Sequence, residues 1–86
     1  MEINVKIIDP IGLHARPASI VVQQANKFKS NIKLVVNGKE ANLKSIMSVM
    51  ALGVKTNTEV KIVIEGDDAK EALEQIKKTM HDHKLI

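Results

Sequence analysis

The sequence predicts an α+β domain whose helices pack on one face of an antiparallel sheet. Three observations lead there. Several short stretches alternate apolar and polar residues with period two, as half-buried strands do. Between them lie stretches whose apolar residues recur at helical spacing. In each clear strand one face is mostly polar, which suits an antiparallel sheet with one side open to water. At 86 residues the chain is enough for one small domain, 1–86, and not two.

The elements follow in order. Ile3, Val5 and Ile7 alternate with Glu2, Asn4 and Lys6 in a first strand, which Asp9-Pro10-Ile11-Gly12 ends. Pro17 fixes its own φ and lacks an N–H, so it belongs in a helix first turn, and a helix opens at about Ala15 to Pro17. Its buried stripe is Ala18, Val21, Val22, Ala25 and Phe28, while Ile20, Gln23, Gln24 and Lys27 fall largely off it. Ile20 is thus an apolar residue on a face expected to be exposed.

Ile32, Leu34 and Val36 mark a second strand. Asn37-Gly38 then signals a hairpin, because a type I′ turn needs positive φ at both central residues. The returning strand, Lys39 to Leu43, is weakly apolar and expected to be short or at an edge. Ser45 to Gly53 reads as a two-turn helix, with Ser45 as N-cap and Gly53 as its stop. Val60, Ile62 and Ile64 make a fourth strand. Asp68 and Glu71 have capping-box spacing at the start of a last helix, whose stripe is Ala69, Ala72, Leu73, Ile76 and Met80. Glu74 and Lys78 add an i,i+4 pair, and the helix runs to about His81 or His83. The order is βαββαβα, but which strands are neighbours in space does not follow from it.

Composition excludes several classes. There is no cysteine, so disulfides and thiolate metal sites are absent, and Phe28 is the only aromatic residue. The net charge is +3, yet the lysines are scattered from Lys6 to Lys84. A nucleic-acid binder would show a basic stripe, with stacking aromatics if it read single strands. A mild positive excess better suits acidic protein partners. No apolar run approaches the roughly 18 residues of a membrane span and no signal peptide is apparent, so the expected location is cytoplasmic. His81 and His83 flank Asp82, but histidines there complement a helix C-terminus and no third ligand is in view. No metal or cofactor is expected.

The chemistry centres on Gly12-Leu13-His14-Ala15-Arg16-Pro17-Ala18-Ser19. His14 stands just ahead of a helix N-terminus, where unpaired N–H groups around Ala15, Pro17 and Ala18 and a partial positive charge favour an anion. The helix end and Arg16 both disfavour a second positive charge on the ring, which leaves a neutral imidazole able to act as a nucleophile. The same groups would stabilise a phosphoryl group once attached. No nucleotide site accompanies them: there is no Gly-rich loop followed by Lys-Ser/Thr and no acidic pair for magnesium. A phosphorylatable histidine without a donor site describes a carrier, not a kinase or other enzyme.

This eight-residue run resembles the active-site signature of the HPr family, the histidine-containing phosphocarriers of the bacterial phosphoenolpyruvate-dependent sugar phosphotransferase system. The resemblance spans essentially the whole chain in length and element order. It implies an open-faced sandwich, a four-stranded antiparallel sheet covered by three helices. It also implies that His14 accepts phosphate on Nδ1 from enzyme I and passes it to the IIA domains of sugar permeases. Arg16 matches the arginine that neutralises the phosphoryl group, and Pro17 the helix-starting proline. One departure is Ile11, where many relatives carry a small or polar residue.

A second site lies in Lys44-Ser45-Ile46-Met47. A short helix on a sheet cannot bury every face, so some of Ile46, Met47 and Met50 should be exposed, and exposed methionines make an adaptable binding surface. The bland reading is a core helix with an ordinary serine cap. The segment resembles the regulatory serine region of HPr from Gram-positive-type bacteria, which implies modification of Ser45 by an ATP-dependent HPr kinase/phosphorylase. Ile20, Gln23, Gln24, Lys27, Ile46, Met47 and Met50 then form a docking rim. The alternative is an HPr-like regulator acting through Ser45-phosphate on a catabolite-control transcription factor. Paralogues of that kind lack the active histidine, and His14 is present. A phosphate-holding module without covalent chemistry ranks lower still. A monomer is the simplest expectation for a diffusing shuttle.

Overall fold

A computed structural model describes residues 1–86. The strands are β1 (Glu2–Lys6), β2 (Asn31–Val36), β3 (Lys39–Asn42) and β4 (Glu59–Glu65), and the helices α1 (Ala15–Ala25), α2 (Ile46–Ala51) and α3 (Ala69–Asp82). They form one antiparallel four-stranded sheet in the order β1-β4-β2-β3, the open-faced architecture anticipated above. Ile3 faces Ile62 across β1–β4, and Leu34 faces Ile62 across β2–β4. β3 is indeed a short edge strand, joined to β2 by Asn37 and Gly38 at φ 50° and 81°.

Alternation places Ile32, Leu34 and Val36 of β2 and Val60, Ile62 and Ile64 of β4 under the helices. They join Ala18, Val21, Val22 and Ala25 of α1 and Ala72, Ile76 and Met80 of α3 in one aliphatic cluster. The opposite face carries Lys33–Glu40 and Lys61–Glu2 ion pairs at 3.5 and 3.8 Å, consistent with contact with water.

Four local expectations need correction. Phe28 is not in α1, which is capped at Asn26; Phe28 is half-buried against the core from the turn beyond. Ile20 is half-buried rather than exposed, because α1 touches both α2 and α3 and its covered face is wider than the stripe. Asp68 stands at the N-cap of α3 but makes no capping bond. Its carboxylate instead accepts the Lys29 and Ser30 amides at 2.8 and 3.0 Å and the Ser30 hydroxyl, tying the α3 entry to the α1–β2 turn. Lys78 pairs forward with Asp82 at 3.9 Å, and Glu74 has no lysine within pairing distance.

Candidate functional site

The loop before α1 is built by local chemistry. Asp9, Pro10, Ile11 and Gly12 make a β-turn closed by the Gly12 amide donating to the Asp9 carbonyl at 2.9 Å, with Pro10 at the position its φ suits. The Asp9 side chain also accepts the Ile11 amide at 2.9 Å, the local bond that favours Asp in turns. Gly12 has φ 84°, and a Cβ there would lie 2.5 Å from the Val54 carbonyl oxygen. That same carbonyl accepts the Leu13 amide at 3.0 Å. Leu13 is buried in the core, so the residue immediately before His14 is held by backbone and side chain together.

His14 is the N-cap of α1 with extended backbone, and its side chain makes no capping bond. The ring is about one-third exposed, at 35%. The His14 carbonyl accepts the Ala18 amide at 2.9 Å, the first bond of the helix. The amides of Ala15 and Arg16 have no protein acceptor. This corrects the sequence reading of the helix end: the Ala18 N–H is already used and Pro17 has none, so those two buried residues shape the turn rather than bind an anion. Arg16 is exposed and has no carboxylate within 4.0 Å. Two free amides and the positive end of an 11-residue helix thus lie beside one imidazole, and an unpaired arginine follows two residues on.

Asp9 was read from sequence only as a chain break. It stands with Oδ1 3.7 Å from His14 Nε2, beyond hydrogen-bond range but close enough for Coulombic attraction. Its place at the start of an Asp-Pro-x-Gly turn is the signal that could have drawn attention to it. A carboxylate on the Nε2 side favours the neutral tautomer with its proton on Nε2, which would leave the Nδ1 lone pair free.

The second region is fixed at the other end of α1. Asn26 Nδ2 donates to the Val22 carbonyl at 2.9 Å and to the Lys44 carbonyl at 3.0 Å, and Lys44 Nζ donates to the Phe28 carbonyl at 2.7 Å. Ser45 caps α2, its hydroxyl accepting the Ser48 amide at 3.3 Å. Helical rise of 1.5 Å per residue separates the ends of α1 by roughly 16 Å, so Ser45 does not touch the surroundings of His14. Met47 is 81% exposed, with Ile46 and Met50 exposed less and Val49 as the buried anchor of α2. Gln23 and Lys27 are exposed and Gln24 half-buried. The two main recesses lie elsewhere, on the open sheet face and beside Ser30 and Asp68. Neither borders His14.

Residues 1–82 match the family described as "PTS HPr component phosphorylation site". The chain belongs to the HPr family. It is 54% identical over 80 residues to the phosphocarrier protein HPr of Mycoplasma capricolum, covering 93% of this chain and 90% of that one. Against phosphocarrier protein HPr of Mycoplasma pneumoniae it is 50% identical over 86 residues, covering 99% and 98%. A solved structure of the histidine-containing phosphocarrier protein from Mycoplasma superposes with a TM-score of 0.98 at 50% identity, covering 100% of this chain and 98% of that one. The fold and function follow at family level: an HPr-type open-faced sandwich serving as a phosphocarrier of the phosphotransferase system. No helix is long and apolar enough to cross a membrane.

Proposed function

We propose that His14 is the phosphoryl acceptor and that the group is carried on Nδ1. The supporting observation is the N-cap position of His14 beside two unpartnered first-turn amides. In this reading enzyme I delivers the phosphoryl group and the IIA domains of sugar permeases remove it. The Nδ1 lone pair forms the N–P bond while the Ala15 and Arg16 amides and the Arg16 guanidinium face the phosphoryl oxygens. Charge-assisted contacts of this kind are about twice as strong as neutral ones, which suits a group that must be held and then released. A histidine about one-third exposed and outside the main recesses suits a stoichiometric carrier, since both donor and acceptor must reach the same ring.

The test is incubation with phosphoenolpyruvate, magnesium and enzyme I, followed by assay for an acid-labile, alkali-stable phosphate. Incorporation is expected in the parent and in Ser45→Ala and is lost in His14→Ala. Incorporation that survives His14→Ala contradicts the reading.

Ser45 is proposed as a regulatory site for HPr kinase/phosphorylase. Its support is a capping serine directly before the exposed Ile46 and Met47. Because Ser45 sits at the far end of α1 from His14, control would act on docking rather than on the ring. A dianion beside an apolar patch on a protein of net charge +3 would repel an acidic partner and resist desolvation. Ser45→Asp is expected to slow phosphorylation of His14 by enzyme I with the fold intact, and an unchanged rate contradicts this role. Binding of Ser45-phosphate to a catabolite-control transcription factor is the alternative use of the same surface.

A further inference from the structure

We propose that Asp9 is a positioning residue for phosphoryl transfer: its carboxylate keeps the proton on Nε2 of His14 and balances the positive charge the ring gains when Nδ1 is phosphorylated. The inference rests on the reading of His14 as acceptor. In the step concerned, the Nδ1 lone pair forms the new N–P bond. The donor–phosphorus bond breaks, and the donor atom keeps that electron pair. The Nε2 proton stays where it is. The ring therefore changes from neutral to cationic, and attraction to Asp9 strengthens as the reaction proceeds, which is the condition for speeding a step rather than merely binding its substrate.

Geometry carries the argument. Asp9 Oδ1 lies 3.7 Å from Nε2, with side-chain exposures of 22% for Asp9 and 35% for His14, so the pair is shielded more than two freely solvated charges. Asp9 cannot swing away freely, because the same oxygen accepts the Ile11 amide at 2.9 Å and its carbonyl accepts the Gly12 amide. No other carboxylate comes within 4.0 Å of a ring nitrogen. The elements packed around this loop carry Arg16 on α1, Lys55 beside Gly12, and Lys84 in the tail whose Leu85 carbonyl accepts the Ile8 amide. Lys6 and Glu59 face each other at the end of β1–β4. Asp9 supplies the one carboxylate within 4.0 Å of a ring nitrogen.

The turn bond gives Asp9 a second, purely structural job, and Asp9→Asn separates the two. An asparagine oxygen still accepts the Ile11 amide but carries no charge. The ring nitrogens of His14 in the 15N-labelled parent, Asp9→Asn and Asp9→Glu are assigned by NMR before and after phosphorylation with enzyme I and phosphoenolpyruvate. In Asp9→Asn the proton of the neutral, unphosphorylated ring is expected to shift from Nε2 toward Nδ1 in the nitrogen spectrum, and transfer to slow roughly three- to tenfold, with an unchanged amide fingerprint. Asp9→Glu recovers part of both. The same Nε2-protonated tautomer in the parent and Asp9→Asn overturns the role, even if the rate falls, and leaves His14 as acceptor. Absence of phosphate from His14 in the parent overturns both readings.

Discussion

Gly12→Ala should be far more damaging than its size suggests. Two costs combine. A non-glycine residue in the left-handed region costs about 1–2 kcal/mol. The added Cβ would also sit 2.5 Å from the Val54 carbonyl oxygen and 2.9 Å from Lys55 Cα, so backbone must move rather than a flexible side-chain tip. The carbonyl that must retreat is the one accepting the Leu13 amide at 3.0 Å, a bond worth about 0.5–1.5 kcal/mol net. The sum is about 1.5–3.5 kcal/mol. Gly38 supplies the control, since its φ is 81° but nothing lies within 4 Å of a Cβ there. Gly38→Ala meets only the backbone cost. At about 4–8 °C per kcal/mol for a chain of this size, Gly12→Ala should melt about 2–12 °C below Gly38→Ala by circular dichroism. Equal melting temperatures would refute the claim that close packing against Val54 positions the loop before His14.

Other outcomes follow from the same structure. Ser45→Ala should lower stability by about 0.5–1 kcal/mol in chemical denaturation, the low end of N-cap losses, because the bond from the Ser48 amide is long at 3.3 Å. Lys44→Met removes the charged bond to the Phe28 carbonyl at 2.7 Å and should cost about 1.5–3 kcal/mol in chemical denaturation. The Ser30 hydroxyl, with the Lys29 and Ser30 amides, holds the Asp68 carboxyl below its ordinary value. Its folded value is thus lower than its unfolded one, so its stabilising contribution is present above about pH 4 and is lost as pH falls further. The urea midpoint of the parent should therefore drop between pH 5 and pH 3 more steeply than that of Asp68→Asn. Parallel curves would contradict the assignment.

Local chemistry was legible where the residues that decide it are close in the chain. Asn37-Gly38 needs only its own two φ angles to make the hairpin, and Ser45 needs only the amide three residues on. His14 ahead of Pro17 likewise declares a helix end. What could not be read depends on partners far along the chain. The pairing of β1 with β4 brings Ile3 to Ile62, and no local pattern encodes it. Asp68 matched the capping pattern, but the distant Ser30 competed for its carboxylate and won with three bonds instead of one. Ile20 fell off the apolar stripe of α1, yet a helix flanked on two sides buries more than a stripe. Val54 fixes the demand for glycine at position 12 from the far side of α2. Asp9 was visible as a turn former, while its approach to His14 emerges only once that turn folds back on the helix end.

The central claim is that one nitrogen of one histidine carries the phosphoryl group. The most direct measurement is the NMR spectrum of the 15N-labelled protein after reaction with phosphoenolpyruvate and enzyme I, with phosphorus–nitrogen coupling used to assign the bonded atom. A single phosphohistidine is expected, bonded through Nδ1 of His14, with His81 and His83 unmodified. A phosphate bonded to Nε2 of His14, or carried by His81 or His83, would contradict it.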